Sequence, residues 1–388
     1  MIPSRRKFLA AGLALPAAAS ATRSSEQQEP RAPARPLPSG PAFRYRTLGK
    51  TGLKVTTVGF GCMITADGSV VERAADIGIT YFDTARGYQS GNNERMVGAA
   101  LKNKRKDIVL STKTAAKTKA EALAHIDTSL KELGTDYVDI WYLHARTTPG
   151  DITDDLIEAQ QIAKKAGKIR FAGVSTHGGQ RELMPFLARH PNVDVILTSY
   201  NFTMEPFMNG VIAEAAKAGK GIVAMKTMAG GFRRAKPSDP LYEKFKKDGA
   251  LLAALKWVVR NPDVHTTVPS MTDMDQLDEN LRAMGQPFSA AEEKLLALQL
   301  DHIGPLYCRM CGECTGACRQ GLPVADVLRF LAYAEGYRQF GLGRERFLEL
   351  GAEHAAVRCG ECPGCTVQCP YGVKVAERLI HAQELFAC

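Results

Sequence analysis

Short apolar segments rich in β-branched residues alternate with longer amphipathic segments from residue 43 to residue 285. This alternation predicts strand–helix units, and nearly continuous apolar strands predict a parallel sheet that is buried on both faces. Eight segments have the composition of such strands: VTTVGFG (55–61), YFDTA (81–85), IVLSTK (108–113), YVDIWYLH (137–144), IRFAGVSTH (169–177), VDVILTSYN (193–201), GIVAMKT (221–227) and TTVPSM (266–271).

The segments between these strands have the spacing of amphipathic helices, as in TKAEALAHIDTSLKELG (118–134) and ITDDLIEAQQIAKKAG (152–167). Asp151 is predicted to cap the second of these helices, and Gly167 is predicted to end it. Eight strand–helix units favour a (β/α)8 TIM barrel. An open doubly wound sheet is the alternative, but the first strand is not followed by a G-x-G-x-x-G turn. We therefore predict an α/β fold with a TIM barrel over residues 42–300.

The first 21 residues, MIPSRRKFLAAGLALPAAASA, contain an arginine pair, a short apolar run and a small-residue A-x-A site in that order. This order is typical of a twin-arginine signal peptide, which directs the export of proteins that have already folded. A disordered basic tail is the alternative interpretation. Residues 22–41 are rich in Pro, Ala, Ser and Arg and predict a disordered linker. We expect the twin-arginine export machinery as a partner and a periplasmic location.

Charge and hydropathy argue against two classes of protein. The formal net charge of the 388 residues is +9, and no Lys/Arg run with interleaved aromatic residues follows the linker. Nucleic-acid binding is therefore not expected. The apolar run of residues 8–21 is interrupted by Pro16 and is shorter than the roughly 20 residues that span a bilayer. We expect no transmembrane span in the mature chain.

Four polar residues suited to proton transfer lie at or just beyond the carboxyl ends of successive predicted strands. Asp83 is near the end of the second strand and Tyr88 lies in the loop beyond it, whereas Lys113 and His144 end the third and fourth strands. The active sites of TIM barrels are built at this end of the strands. Any one of these residues alone is readily explained as structural, but four on neighbouring strands indicate a catalytic site.

The electrostatics of these four residues predict an acid for a carbonyl reaction. An ammonium group on Lys113 would favour the phenolate of Tyr88 and lower the pKa of this tyrosine from its usual value of about 10. Asp83 would keep Lys113 charged and oriented, and a neutral His144 would donate to the substrate oxygen. Together these groups would protonate an alkoxide as hydride reaches the carbonyl carbon.

The chain from about residue 43 to residue 285 resembles the aldo-keto reductases. The resemblance rests on YFDTARGY (81–88), NERMVGAALK (93–102), LSTK (110–113), DIWYLH (139–144), GVSTH (173–177), MKTMAGG (225–231) and TTVPSMTDMDQLDEN (266–280). It implies carbonyl reduction with NADP(H) or NAD(H), with Tyr88 as the acid and Asp83, Lys113 and His144 as the rest of a tetrad. It also implies that Ser175 contacts the nicotinamide. Further cofactor contacts are expected in the loops after the last two strands, at Met225, Lys226, Ser270, Met271, Thr272, Gln276, Glu279 and Asn280.

Two features depart from this family pattern. Family members that prefer NADPH place a Lys or Arg in the last loop, where this chain has Ser270 and Gln276 beside Asp273 and Asp275. Charge-assisted pairs to phosphate are strong contacts, so their loss weakens the preference for NADP(H) over NAD(H). The aromatic ring that often stacks on the nicotinamide after the seventh strand is also absent from the stretch that contains Met225.

Two cysteine motifs with the same spacing follow the predicted barrel. CRMCGECTGAC (308–318) and CGECPGCTVQCP (359–370) both read C-x2-C-x2-C-x3-C. This is the spacing of bacterial ferredoxins that bind [4Fe–4S] clusters. Structural zinc sites use two separated C-x2-C pairs, and closely spaced cysteines would compete for disulfide partners. We predict two [4Fe–4S] clusters, whose ligands are Cys308, Cys311, Cys314, Cys318, Cys359, Cys362, Cys365 and Cys369.

The fourth cysteine of each motif is the uncertain ligand of its cluster. In two-cluster ferredoxins it crosses to the other cluster. That pattern would place Cys369 with the first three cysteines of the first motif, and Cys318 with the first three of the second. The segment between the motifs contains a helical pattern at 325–340 and is longer than a compact ferredoxin needs. Residues 301–388 therefore look like the small, mainly helical ferredoxin-like module that is fused to some aldo-keto reductases.

These features favour an oxidoreductase that interconverts a carbonyl and an alcohol while its clusters relay electrons, with a redox protein as a further partner. Clusters and nucleotides are inserted in the cytoplasm, which explains export of the protein in a folded state. One alternative is an exported electron-transfer protein that uses the barrel as a scaffold. Another is a sugar or polyol dehydrogenase that works in the oxidative direction.

Overall fold

The computed structural model describes residues 43–204, 206–231 and 249–386. Residues 39–388 belong to one compact unit. The predicted signal peptide and linker lie outside the described residues. Among the helices that the structure describes, none is both long enough and apolar enough to cross a membrane.

The barrel is a sheet of eight strands that pair in parallel in chain order. An isolated parallel bridge between Gly61 and Ser270 joins the first of these strands to the loop after the last and completes the ring. The predicted TIM barrel is therefore confirmed. The strands are β3 (Phe60–Gly61), β4 (Tyr81–Asp83), β5 (Val109–Thr114), β6 (Val138–Leu143), β7 (Ile169–Thr176), β8 (Val195–Ser199), β9 (Gly221–Met225) and β10 (Thr266–Thr267).

Helices surround this sheet. Their apolar faces and the outer face of the sheet form the largest hydrophobic core of the protein. The helices are α1 (Gly68–Asp76), α2 (Asn92–Leu101), α3 (Lys119–Leu133), α4 (Asp154–Lys165), α5 (Gln180–Arg189), α6 (Phe207–Lys217), α7 (Ala250–Val259), α8 (Met274–Gly285) and α9 (Ala290–Ile303).

An antiparallel hairpin, β1 (Tyr45–Thr47) and β2 (Lys54–Thr56), precedes the barrel. Leu48, Leu53 and Val55 from this hairpin pack with the side chains that fill the barrel interior. The single strand predicted at 55–61 is therefore wrong: its first residues belong to the hairpin, and only Phe60–Gly61 enters the barrel. Val55 pairs with β1 and is buried at the end of the barrel interior, and this burial favours the hairpin over a longer β3.

Local capping chemistry accounts for several helix ends. Thr118 caps α3 by accepting from Glu121 N, and Gly134 ends the helix in the left-handed conformation at φ +62°. The predicted cap Asp151 is wrong, because α4 begins after Thr153, whose side chain accepts from Leu156 N. The Asp151 carboxylate instead closes the preceding loop.

The cysteine motifs belong to a helical module built from α10 (Val324–Glu335), α11 (Phe340–Leu348), the short α12 (Ala352–Ala355) and α13 (Val375–Phe386). These helices enclose a second hydrophobic core. The helix predicted at 325–340 is in fact two helices separated at Gly336. The break places Gly336 and the three following residues against the barrel, which a continuous helix would not do.

Candidate active site

The four predicted catalytic residues meet at the carboxyl end of the barrel. The ammonium group of Lys113 donates to Asp83 Oδ2 at 2.6 Å and to Tyr88 Oη at 3.2 Å. The rings of Tyr88 and His144 meet edge to face, with 5.8 Å between their centroids. Asp83 and Lys113 are almost completely buried. The parallel barrel therefore brings together four side chains that are far apart in the sequence.

Hydrogen bonds orient the Asp83 carboxylate on both of its oxygens. Ser111 Oγ donates to Asp83 Oδ1 at 2.7 Å, while Lys113 occupies the other oxygen. Lys113 also donates to the carbonyl oxygen of Thr84 at 2.7 Å. The ammonium group is thus fixed between one carboxylate, one carbonyl and the phenol of Tyr88.

A tight turn holds Tyr88 in this position. Gln89 and Ser90, directly after Tyr88, adopt left-handed conformations with φ of +50° and +53°. Such backbone costs on the order of 1 kcal/mol for residues other than glycine and persists only where contacts impose it. The side chain of Gln89 supplies one such contact by donating to the carbonyl oxygen of Thr65 at 2.9 Å.

The structure corrects the expected electrostatics of Tyr88. Burial raises the pKa of Tyr88 to about 12, although Lys113 acts in the opposite direction. Burial holds the pKa of His144 well below its usual value, and the positive charge of Lys113 adds to this effect. At neutral pH, Tyr88 is therefore a protonated phenol and His144 a neutral imidazole. Both are able to donate a hydrogen bond to a substrate oxygen.

A cavity of about 730 Å³ opens above Tyr88 and Asp83. Its volume is typical of small-molecule sites. Five of the residues predicted to contact the cofactor line it: Met225, Lys226, Ser270, Thr272 and Gln276.

Four other residues predicted to contact the cofactor do not line this cavity: Ser175, Met271, Glu279 and Asn280. Ser175 Oγ accepts from Ala145 N at 2.9 Å, and the carbonyl oxygen of Met271 accepts from Thr65 Oγ1 at 2.7 Å. The side chain of Met271 is completely buried. The role of these four residues as cofactor contacts stays a prediction.

The helical module supplies part of the cavity wall, which the sequence did not predict. Gly336, Tyr337, Arg338 and Gln339 line the cavity together with His177 of the barrel. Tyr337 stacks on Tyr333 with 5.6 Å between ring centroids. These rings lie beside the loop after β9, where the sequence lacks the aromatic residue of the family pattern. The stretch YAEGYRQF carries the two tyrosines, but its pattern does not indicate that it faces the barrel.

Specific contacts join the module to the carboxyl end of the barrel. Asn201 Nδ2 donates to Tyr307 Oη at 3.2 Å, and Arg346 Nη2 donates to the carbonyl oxygen of Gly87 at 3.0 Å. Gly336 lies so close to Gly230 that a Cβ atom at position 336 would overlap the Gly230 carbonyl oxygen. The catalytic cavity is therefore bounded by both parts of the protein.

The residues of this cavity fit a nicotinamide nucleotide. The neutral acid Tyr88 lies at one side, the ring of Tyr337 provides an apolar surface, and Thr272 and Gln276 line the wall at the amino end of α8. Asp273 also lines this wall, and no Lys or Arg from the last loop does so among the described residues. The wall therefore has polar groups for a nucleotide but lacks the cation that selects a 2′-phosphate.

The eight cysteines of the two motifs are free thiols that fall into two groups. Cys308, Cys311 and Cys314 line a small cavity together with Cys369 of the second motif. In the other group, burial raises the pKa of Cys359 to about 11, and the nearby thiols of Cys318, Cys362 and Cys365 act in the same direction. Each group contains three cysteines of one motif and the fourth cysteine of the other.

The chemistry of four neighbouring thiols fits a [4Fe–4S] cubane, with one cysteine for each iron. In the described part of the chain, no set of three or more His, Cys, Asp or Glu side chains forms a site for a metal ion. A cubane is larger than a single ion and spreads its ligands more widely. The grouping of the thiols is the arrangement that two clusters with exchanged fourth ligands require.

Comparisons with known proteins agree with both parts of this description. Residues 66–297 match the Aldo/keto reductase family, and residues 287–373 match the 4Fe-4S dicluster domain. The uncharacterized oxidoreductase YqkF of Bacillus subtilis is 28% identical over 299 residues, which are 66% of this chain and 96% of that protein. L-galactose dehydrogenase of Arabidopsis thaliana is 28% identical over 283 residues, covering 62% of this chain and 88% of that enzyme.

A solved structure extends this similarity to three dimensions. The holo form of aldo-keto reductase AKR11C1 from Bacillus halodurans aligns with a TM-score of 0.57 and 26% identity, covering 70% of this chain and 98% of its own. The family match spans more than half of the chain and includes the strands that carry the four central residues. The chain therefore belongs to the aldo/keto reductase family.

Proposed function

We propose that the protein interconverts a carbonyl and an alcohol by hydride transfer with NADP(H) or NAD(H), and that two [4Fe–4S] clusters relay electrons to or from this site. The observation that carries the proposal is Lys113, which bridges Asp83 and Tyr88 beside the cavity at distances of 2.6 and 3.2 Å. A buried ammonium beside a phenol is suited to stabilising the charge that remains when the phenol gives up its proton.

The reaction divides between the cofactor and the side chains. A bound nicotinamide would supply or accept the hydride. In the reductive direction, Tyr88 donates its phenolic proton to the carbonyl oxygen, and Lys113 stabilises the resulting phenolate. His144 is neutral and orients the same oxygen by a hydrogen bond. In the oxidative direction the base is the phenolate of Tyr88, which Lys113 stabilises and which forms when the phenol first loses its proton to solvent; it then accepts the proton of the alcohol.

A short route between the first group of cysteines and the cavity supports an electron relay. Tyr307 precedes Cys308, and its hydroxyl accepts from Asn201 Nδ2 at 3.2 Å. The same amide nitrogen donates to the carbonyl oxygen of Lys226 at 3.0 Å, and Lys226 lines the cavity. The second group is nearer the surface, because Cys365 is exposed. We infer that the first cluster exchanges electrons with the barrel and the second with a redox protein.

We also propose that the twin-arginine export machinery carries the folded protein to the periplasm. The support is the order of arginine pair, apolar run and A-x-A site in residues 1–21. An exported reductase lies apart from the cytoplasmic nucleotide pool. A tightly held nucleotide would resolve this difficulty if its oxidised form took up two electrons, delivered one at a time from the redox protein through the clusters, and one proton from solvent.

The test uses mature protein purified without oxygen from the exported fraction. We expect about eight iron atoms per chain, corresponding to two cubanes. We also expect bound or binding-competent nicotinamide nucleotide and carbonyl reduction. Iron without nucleotide binding, even when NADPH or NADH is added, would contradict the reductase proposal. It would instead favour an electron-transfer protein that uses the barrel as a scaffold. Four of the residues predicted to contact the cofactor do not line the cavity, which is consistent with this alternative.

A further inference from the structure

Lys226 is a partly buried cation in the cavity that the proposed proton transfer does not use. It follows β9 and lines the cavity. Its ammonium group lies 3.5 Å from Tyr333 Oη, 4.6 Å from the centroid of the Tyr333 ring and 5.0 Å from that of Tyr337. No carboxylate of the described residues pairs with it. Partial removal of an ammonium group from water is unfavourable when no carboxylate pairs with it, so this position favours a ligand that carries negative charge.

The backbone at Lys226 strengthens this interpretation. Its φ is +57°, in the left-handed region that a lysine rarely adopts. The conformation costs on the order of 1 kcal/mol and is typical of functional positions. The carbonyl oxygen of Lys226, which accepts from Asn201, helps to hold it. The chain therefore tolerates local strain that places a cation against the cavity.

The three carboxylates that line the cavity with Lys226, among the described residues, already have other partners. Asp83 is already bound to Lys113 and Ser111. The other two carboxylates that line the cavity, Asp67 and Asp273, each accept a backbone N–H at 2.8 Å as helix caps.

Two further residues with polar nitrogen atoms line the same cavity as Lys226. His177 lines the cavity, and its buried Nδ1 has no hydrogen-bond partner among the described residues. Arg338 also lines the cavity. The same cavity is thus lined by the ammonium group of Lys226, the ring nitrogen of His177 and the guanidinium of Arg338.

We propose that Lys226 and His177 bind an anionic group, a carboxylate or a phosphate, of the ligand in this cavity. If the group belongs to the substrate, the substrates are small carbonyl or alcohol compounds that carry an acid group, which deepens the function proposed above and rests on it. The other source of the same chemistry is the diphosphate of the nicotinamide nucleotide. Charge-assisted hydrogen bonds to such oxygens are stronger than neutral ones, which suits a partly buried lysine.

Kinetics with two matched substrates test the substrate source. Pyruvate and its uncharged amide, pyruvamide, share one skeleton and differ in charge. In the anaerobic holoprotein, we expect Lys226→Met to raise KM for pyruvate about tenfold or more and KM for pyruvamide less than about twofold. Lys226→Arg is expected to retain most of the preference for pyruvate. Lys217→Met, at an exposed lysine of α6, is the control that removes one positive charge elsewhere on the protein.

Calorimetric titration with oxalate and with NADH provides a readout that does not need turnover. Weaker oxalate binding in Lys226→Met, with unchanged NADH binding, supports the substrate source. Weaker NADH binding with an unchanged preference for pyruvate supports the diphosphate source. Equal effects on pyruvate and pyruvamide, with oxalate and NADH affinities unchanged, would overturn the inference. Lys226-dependent oxalate binding without any carbonyl turnover would instead keep the anion site and reject the proposed reaction.

Discussion

At the residue scale, the proton on Tyr88 is subject to two opposing effects. Burial raises the pKa of the phenol, while the ammonium of Lys113 lowers it, and burial is the larger effect. The phenol therefore carries its proton at neutral pH. In the proposed reaction, Lys113 would stabilise the phenolate as it forms rather than ionise Tyr88 beforehand.

Replacing Tyr88 by phenylalanine tests this role. Tyr88→Phe keeps the ring that meets His144 and removes only the hydroxyl that accepts from Lys113. We expect kcat for carbonyl reduction to fall by about 10² to 10⁴, because general acid catalysis contributes that much. Nucleotide affinity, measured by fluorescence titration, is expected to stay within about twofold. Unchanged kcat would remove Tyr88 from the mechanism.

The low pKa of His144 predicts how stability depends on pH. Burial and the charges of Lys113, Arg329, Arg346 and Arg146 all lower this pKa in the folded state. Below about pH 6.5 the unfolded chain binds a proton that the folded chain does not, so stability falls as pH falls. Well below pH 6.5, His144 lowers the free energy of unfolding by up to about 1.4 kcal/mol for each pH unit.

A substitution separates this contribution from those of other groups. Urea unfolding of the wild type and of His144→Gln between pH 7.5 and pH 5.5 gives the free energy of unfolding at each pH. The variant is expected to lose less stability over this interval, by roughly 1 kcal/mol. Parallel curves for the two proteins would show that His144 titrates normally in the folded state.

At the scale of elements, the loop before α8 is the segment that we expect to determine the preference between NADP(H) and NAD(H). Gln276 lines the cavity, its backbone N–H donates to Asp273, and its amide donates to Thr272 Oγ1 at 2.9 Å. Such neutral and acidic groups do not compensate the charge of a 2′-phosphate. The sequence alone predicted a weak preference for NADP(H), because the loop is one continuous segment and its residue types can be read directly.

We expect Gln276→Arg to increase affinity for NADPH relative to NADH by about tenfold, because it adds a charge-assisted contact to phosphate. Competitive titration of the two nucleotides measures the ratio. Asp278→Arg makes a charge change on an exposed residue of the same helix, outside the cavity lining, and serves as the control. If both variants shift the ratio equally, net charge rather than a specific contact is responsible.

The break between α10 and α11 is the element that joins the module to the barrel. A Cβ atom at Gly336 would overlap the carbonyl oxygen of Gly230, so Gly336→Ala must move the module or the barrel loop. We expect a loss of about 1 to 3 kcal/mol in stability and weaker ligand binding in the cavity.

The helix of the same module offers a matched control for this variant. A Cβ atom at Gly341, within α11, would meet nothing within 4 Å. Gly341→Ala is therefore expected to be neutral or stabilising by about 0.5 to 1 kcal/mol. Thermal unfolding of both holoproteins, with nucleotide titration, compares them. Equal behaviour of the two variants would argue that the contact at Gly336 is unimportant.

At the scale of the whole molecule, one helical module contributes both to the cavity of the barrel and to the cysteine groups. The segment from Gly336 to Gln339 lines the cavity, and the loops that carry the cysteines flank the helices of the same module. The second group of cysteines lies nearer the surface than Cys308, whose pKa burial raises to about 12. This arrangement suits a molecule that accepts electrons at the surface and uses them inside, or the reverse.

Replacing one predicted cluster ligand in the second group of cysteines tests the number of clusters. We expect Cys365→Ser to lower the iron content from about eight atoms per chain to about four, or to leave one cluster with an altered electron paramagnetic resonance spectrum. Cys388→Ser, outside both motifs, is the control and is expected to keep the full content. Complete loss of iron in Cys365→Ser, or no change in either property, would contradict two separate clusters.

The sequence by itself determined the features that depend on neighbours along the chain. Strand and helix periods predicted the barrel, and cysteine spacing predicted the type of cluster. The four central residues were also predictable, because parallel strands in a closed barrel must end on the same side. The prediction failed at residues 55–61 and 325–340, where packing of Val55 inside the barrel and of Gly336 against Gly230 overrides local pattern.

Only the tertiary structure decided how far burial changes the charges and which surfaces meet. The pKa of Tyr88 depends on exclusion of water, which sequence neighbours do not report. The position of Tyr337 in the wall of the cavity, and of Tyr333 beside Lys226, depends on contacts between segments about a hundred residues apart. Such long-range contacts are set by the packing of complete surfaces rather than by any local preference of the chain.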